Sequence, residues 1–206
     1  MSQVIEALFL DVGGVLGTNG WGRESRQLAA ETFGIDQSEM DTRHHLTFDT
    51  YESGKLSLDA YLDRVVFYQP RSFTKAQFAE FMLARSVAFP ETISFITRLR
   101  EKYKLRIIIV SNEGRELTLH RVDNFGLKKF VDAFIFSCFV GFRKPDLDIF
   151  QLALDVSMVS PDRIIYLDDR AMFVETASTL GIRGIVHDAA DLDATREKLA
   201  EYGLSL

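Results

Sequence analysis

Five short apolar runs punctuate the chain, at residues 4–10, 106–110, 134–137, 164–167 and 184–186. Each is short enough for a strand and carries few polar residues, the pattern of strands covered on both faces of a parallel sheet. Helical spacing separates the last four. Residues 117–125 run up to Gly126, a residue suited to the left-handed position after a helix. Residues 147–156 carry Ile149, Phe150, Ala153 and Leu154 at helical spacing. Residues 171–180 end at Gly181, and residues 192–202 follow Asp191 and end at Gly203. Strand and helix in alternation predict an α/β fold, doubly wound around a parallel sheet.

The stretch between the first two strands is far longer than one crossover helix requires. Residues 21–88 hold several helical patterns. One covers residues 23–33, before Gly34. A second follows Asp36, with Glu39 three residues on as its capping partner. A third follows Ser57 and carries Leu58, Tyr61, Leu62, Val65 and Val66. A fourth follows Thr74, where Gln77 completes a capping box, and shows Phe78, Phe81, Met82 and Arg85 along one side. Pro90 then opens a helix over residues 91–102, with Ile93, Ile96 and Leu99 facing inward. No repeat, low-complexity tract or linker interrupts the sequence. The expected division is a core domain of residues 1–18 and 89–206 and a helical cap of residues 19–88, folded over the strand ends. The aromatic stripe of the insertion reads as cap core rather than as a ligand platform.

The 206 residues, 47% of them hydrophobic, suffice for one core domain with an insertion. A net charge of −6 and a pI near 5.3 argue against a general nucleic-acid binder. The one cysteine, Cys138, permits no internal disulfide and fits a reducing compartment, as a small core residue. No apolar run approaches a membrane span, and residues 1–6 lack a basic leader. The expectation is a cytoplasmic protein without membrane or nucleic-acid partners.

Candidate chemistry lies where the strands finish. Open parallel sheets bind ligands beyond the carboxyl ends of their strands. Asp11 ends the first run and precedes Val12-Gly13-Gly14-Val15, and Ser111-Asn112 ends the second. Lys144-Pro145-Asp146 follows the third and Asp168-Asp169 the fourth. Singly, each reads as a turn or a helix cap. Together they bring four useful polar groups to one end of the sheet. An ionised aspartate can attack phosphorus and form an acyl phosphate without an activating base. Its obstacle is repulsion by an anionic phosphate. A divalent cation between Asp11 and Asp169 would reduce that repulsion, and hard oxygen ligands suit Mg²⁺. Lys144 adds a fixed positive charge. The Ser111 hydroxyl, the Asn112 amide and the backbone N–H groups beyond them are donors for the non-bridging oxygens.

This ordered set, extended by residues 137–146 around the lysine and residues 175–181 after the acidic pair, resembles the haloacid dehalogenase-like hydrolase superfamily over nearly the whole chain. The insertion after the first motif is similar to that of C1-capped members, and the Asp-x-Gly motif to a sugar-phosphate phosphatase-like branch. The resemblance implies a three-layer, Rossmann-like sheet in the order 3-2-1-4-5. It implies Asp11 as nucleophile, Lys144 as the catalytic charge clamp, and Ser111 and Asn112 as phosphate binders. The implied metal ligands are Asp11, the Gly13 backbone carbonyl and Asp169, with Asp168 supporting and Mg²⁺ as cofactor. The implied activity is a metal-dependent phosphatase that works through an aspartyl-phosphate. Its substrate would be a small phosphorylated metabolite, with sugar phosphates among the candidates.

Two positions depart from the pattern. Gly13 stands where most phosphatases of this superfamily carry a second aspartate, which protonates the leaving oxygen and then activates water. Such transfer is typically worth about a hundred- to ten-thousand-fold. His44, His45, Tyr51 and Glu52 are the cap residues that could replace it, although each type is more often a surface residue. Phe173 stands where many members have Asn or Asp near the metal; its alternative role is to pack on the core. Two other functions use the same residues. One is a 2-haloacid dehalogenase, whose aspartate attacks carbon without a cation; the acidic pair at 168–169 favours phosphate chemistry over it. The other is a non-catalytic relative that binds a phosphometabolite. Dinucleotide and P-loop glycine spacings are absent, and His44, His45, His120 and His187 have no zinc spacing. Trp21 and Arg23 are placed at the site entrance, or Trp21 as the anchor of the cap hinge.

Overall fold

The computed structural model describes residues 4–206. The chain enters through β1 (Ala7–Leu10) and leaves for five helices: α1 (Arg23–Phe33), α2 (Gln37–His45), α3 (Phe48–Glu52), α4 (Leu58–Val65) and α5 (Lys75–Ala84). It returns along α6 (Pro90–Tyr103) into β2 (Arg106–Ser111), α7 (Arg115–Asn124) and β3 (Ala133–Phe136). The short α8 (Ser137–Val140) and α9 (Leu147–Ser157) lead to β4 (Ile164–Asp168), α10 (Ala171–Ser178), β5 (Arg183–Val186) and α11 (Leu192–Glu201). All four strand pairings are parallel, in the order β3-β2-β1-β4-β5. This is the doubly wound sheet, order 3-2-1-4-5, that the resemblance implied.

Burial on both faces explains why the strands read as unbroken apolar runs. Leu8, Leu10, Ile107 and Ile109 pack on one face against Phe95, Leu99, Val122 and Leu199 of α6, α7 and α11. Phe9, Ile108, Val110 and Tyr166 pack on the other against Ile149, Phe150, Phe173 and Ala177 of α9 and α10. Each such side chain contributes about 1.5–3 kcal/mol when fully buried. Two strand limits differ from the sequence pattern. Val4 is exposed, because pairing of β1 begins at Ala7, opposite the starts of β2 and β4. Ser137 opens α8 instead of ending β3; its hydroxyl accepts a hydrogen bond from the Glu113 N–H at 2.9 Å.

The register sets the site. Leu10 pairs with Ile109 and with Leu167, and the Asp11 N–H donates to the Leu167 carbonyl at 3.0 Å. One step further along the sheet, Asp11 stands beside Asp168, two residues after Leu10's partner comes Ser111, and Asp169 follows Asp168.

The helices α1–α5 form their own apolar cluster around Met40, Tyr61, Leu62, Phe78 and Met82. Asp36 caps α2 through the Glu39 N–H, Ser57 caps α4 through the Ala60 N–H, and Thr74 and Gln77 form a reciprocal box on α5. Such caps contribute about 1 kcal/mol each. The α3 helix is one that periodicity did not predict; at five residues it is too short to show any. The insertion enters and leaves side by side: the Thr18 N–H donates to the Val87 carbonyl and the Phe89 N–H to the Leu16 carbonyl, both at 2.8 Å. Among the described residues, no helix is long and apolar enough to cross a membrane.

Candidate active site

Four strand ends deliver their polar groups to one place. Asp11 is 7% exposed. Its Oδ1 accepts the Val12 N–H at 2.7 Å, and its Oδ2 lies 3.0 Å from Lys144 Nζ. The buried Ser111 also bonds to this carboxylate. Lys144 is fully enclosed: its ammonium donates to Asp168 Oδ2 at 2.6 Å and to the Tyr166 hydroxyl at 3.0 Å. Asp168 is occupied on every side, accepting from Tyr166 as well and, through Oδ1, from the Arg170 N–H at 2.8 Å. Burial pushes the Asp11 carboxyl above its ordinary value; Lys144 opposes that shift and Asp168 adds to it. One ammonium thus faces two buried carboxylates, with a third nearby.

The donor set fits a hard divalent cation. Asp11, Asp168 and Asp169 bring carboxylate oxygens within 4.8 Å of one another. Asp169 Oδ2 accepts a hydrogen bond from Asn19 Nδ2 at 2.9 Å, but its Oδ1 is buried with no partner. A buried anionic oxygen left so is costly unless something positive binds it. Gly14 makes room: its φ is +72°, and a Cβ there would lie 2.4 Å from Asp169 Cγ.

Ser111 and Asn112 reach the site differently. The Asn112 amide, expected to face a phosphate, is committed at both ends to the backbone of Lys144. It donates to the Lys144 carbonyl and accepts from the Lys144 N–H, each at 2.8 Å. It works as a clip that holds the lysine loop against the end of β2. Phe173 is core, as its alternative role had it, and its ring also lies 5.0 Å from Lys144 Nζ. It supplies a π face, not a polar contact, to the ammonium.

A cavity of about 320 Å³ opens above Asp11, roofed by the insertion through Trp21, His44, Phe48 and Tyr51. Trp21 is both lining and anchor: its Nε1 donates to the Tyr61 hydroxyl at 2.8 Å, and its ring meets Phe78 edge-on. Tyr61 in turn bonds His44 Nδ1 at 2.7 Å. Burial brings the His44 ring down to about 3, so it is neutral there. Glu52 is held by Arg143, which also binds Asp49. His45 is exposed and does not line the cavity. The Tyr51 hydroxyl is buried without a partner, and its ring rests where a Gly114 Cβ would be, 2.0 Å from Cζ.

Three residues near the site had no place in the sequence reading: Asn19, Glu113 and Arg121. Arg121 is 1% exposed. It bonds the Thr18 carbonyl at 2.7 Å, Ser86 Oγ at 3.0 Å and Glu113 Oε1 at 2.9 Å. The available signal was an arginine four residues after the buried Leu117, on the inward stripe of its helix.

Comparison with known proteins identifies the family. The family model of haloacid dehalogenase-like hydrolases matches residues 5–181. A phosphorylated carbohydrates phosphatase of Thermotoga maritima is 25% identical over 94% of this chain and 91% of its own. The fold is similar to that of a HAD family enzyme of Bacteroides thetaiotaomicron, solved in complex with magnesium and inorganic phosphate. That enzyme is 19% identical, with a TM-score of 0.73 over 90% of this chain and 95% of its own. An L-2-haloacid dehalogenase shares the fold as well, at 18% identity and a TM-score of 0.66 over 92% of this chain and 97% of its own. With most of its length matched by one family, on a parallel sheet of the order that family implies, the chain belongs to the haloacid dehalogenase-like hydrolases.

Proposed function

We propose that this hydrolase is a Mg²⁺-dependent phosphatase of a small phosphorylated metabolite, with sugar phosphates the first class to test. The observation that carries the reading is the convergence of three carboxylates beside an enclosed lysine, with one oxygen of Asp169 buried and unpartnered. A dehalogenase needs no cation, and for it such a surplus of buried negative charge would be a burden. The phosphatase from Thermotoga maritima and the Bacteroides structure with magnesium and phosphate support the same choice.

In this reading Asp11, the Gly13 carbonyl and Asp169 would hold the cation, and Asp168 acts through Lys144. The ion would screen the charge of the incoming phosphate. Asp11 attacks phosphorus, the bond to the leaving oxygen breaks, and water later releases orthophosphate from the aspartyl-phosphate. Lys144 holds Asp11 in place and balances developing charge. Ser111 and the backbone N–H groups at the start of α7 meet the phosphoryl oxygens, with Asn112 fixing the lysine loop. Residues 19–88 act as a cap on a core of residues 1–18 and 89–206, and the small cavity beneath selects the metabolite.

A panel of phosphorylated metabolites, assayed with Mg²⁺ and with excess chelator, tests this. Turnover is expected only with the ion, and Asp11→Asn is expected to lose nearly all of it. Full turnover in chelator, or halide release from 2-haloacids with no phosphate release from any ester, would overturn the reading.

A further inference from the structure

Gly13 leaves this phosphatase without a proton-transfer group on the nucleophile's own loop. A Cβ on Gly13 would lie 2.8 Å from Asn19 Oδ1 and 3.6 Å from Arg121 Nη1. The space that a second aspartate would use is therefore bordered by the Arg121 guanidinium. That same Nη1 is 2.9 Å from Glu113 Oε1. Glu113 is 5% exposed and lines the cavity with Asp11, Gly13 and Asn112. Its N–H is fixed by Ser137 Oγ, and its second oxygen, Oε2, is buried with no partner.

A plain counter-ion for Arg121 would look different. Paired guanidinium and carboxylate groups commonly engage through both oxygens. Here Arg121 is shared with the Thr18 carbonyl and Ser86, only one Glu113 oxygen is used, and the other carries the penalty of an unmet buried acceptor. Protonation of Oε2 removes the charge from that oxygen and turns it into a donor that still needs an acceptor.

We propose that Glu113 is the general acid and base of the reaction, the relocated counterpart of the aspartate absent at Gly13. The inference rests on the phosphatase reading. As Asp11 bonds to phosphorus and the ester P–O bond breaks, the Glu113 proton passes to the departing oxygen, giving the alcohol and a Glu113 carboxylate. That carboxylate takes a proton from the water that attacks the aspartyl-phosphate. The bond from phosphorus to Asp11 breaks, orthophosphate leaves, and both side chains return to their starting states. The surroundings suit this traffic. Burial pushes the Glu113 carboxyl up, Arg121 pulls it back, and Asp11 and Glu52 push it up again, to about 7. The Tyr51 phenol and the Cys138 thiol also face it, and both are themselves held in their neutral forms by burial. A carboxyl poised there is matched to transfer at neutral pH.

The test compares Glu113→Gln with the unaltered protein, in Mg²⁺, on p-nitrophenyl phosphate and benzyl phosphate. The first leaving group departs without a proton; the second needs one. The readout is kcat/KM, which reports the steps up to departure of the alcohol. The expected loss is about a hundredfold or more on benzyl phosphate and less than about tenfold on p-nitrophenyl phosphate. The pH profile of the benzyl ester is expected to lose its basic limb near 7 in the variant. Equal losses on both esters, as a structural counter-ion would give, would overturn the inference while leaving the phosphatase reading intact. If Glu113→Gln does not fold, Glu113→Asp keeps a carboxyl beside Arg121 and withdraws it by one methylene. The same split is expected, and an even loss would again overturn it. An unaltered protein that releases phosphate from neither ester nor any metabolite of the panel would remove the phosphatase reading and this inference together.

Discussion

Gly14→Ala probes whether the backbone beyond the nucleophile is shaped around Asp169. At Gly14 the added Cβ would meet Asp169 Cγ at 2.4 Å, where ordinary contact starts at 3.4 Å. The carboxylate must therefore withdraw by about 1 Å (3.4 − 2.4). Two consequences separate in size. A left-handed backbone costs alanine about 1–2 kcal/mol. The reduced freedom of the unfolded chain offsets about 0.4–1 kcal/mol of that. The backbone alone then costs about 1 kcal/mol of stability. The retreat of Asp169 breaks its 2.9 Å bond to Asn19 and draws its carboxylate away from Asp11 and Asp168. Disturbances of this kind around a metal ligand cost about 10–100-fold in affinity. Calorimetric titration with Mg²⁺, beside a urea melt, reads both quantities on the same protein. Gly203→Ala is the control. Its backbone is also left-handed, with φ +84°, but nothing lies within 4 Å of its added Cβ. It is expected to share the backbone cost and keep its Mg²⁺ affinity. A folded Gly14→Ala variant with unchanged Mg²⁺ affinity would refute the placing of the ion at Asp169.

Three further outcomes are expected. Lys144→Met strands Asp11 and Asp168 without their shared ammonium and should lower stability by about 3–5 kcal/mol in urea melts; a loss under about 1 kcal/mol would contradict the enclosed ion pairs. His44 sits at about 3 when folded against 6.5 ordinarily, so its contribution to stability is present above about pH 6.5 and fades as pH falls toward 3. NMR should find the ring neutral at pH 5, and a protonated ring there would count against its burial. Adding Gly13→Asp to Glu113→Gln should recover part of kcat/KM on benzyl phosphate, since the new carboxylate would start beside Arg121. An unchanged dependence on the leaving group would show that this glycine does not limit proton transfer.

The parts of this molecule that a single stretch of chain decides were readable in advance. Apolar runs without alternation gave β1, β2 and β4 because both faces of those strands are covered. Thr74 and Gln77 announced α5 because a cap is a local bond. Asp11, Ser111, Lys144 and Asp169 could be singled out because each closes or follows a strand. What stayed hidden depends on residues far apart in sequence. Arg121 finds its partners at Thr18 and Ser86, which the fold alone brings to it. Asn112 looks like a free amide until the lysine loop, thirty-two residues on, closes over it. Asn19 bonds Asp169 across 150 positions. Phe173 read as a departure from a polar pattern, and only its position under Lys144 shows what an aromatic ring does there.

The paired bonds at Thr18–Val87 and Leu16–Phe89 have a consequence for how this protein can change. Because the insertion begins and ends at the same rung of a short ladder, the sheet beneath is indifferent to how much chain lies between. Evolution, or an engineer, could lengthen, shorten or swap that chain as a cartridge, altering which molecules are admitted while the machinery below keeps its alignment.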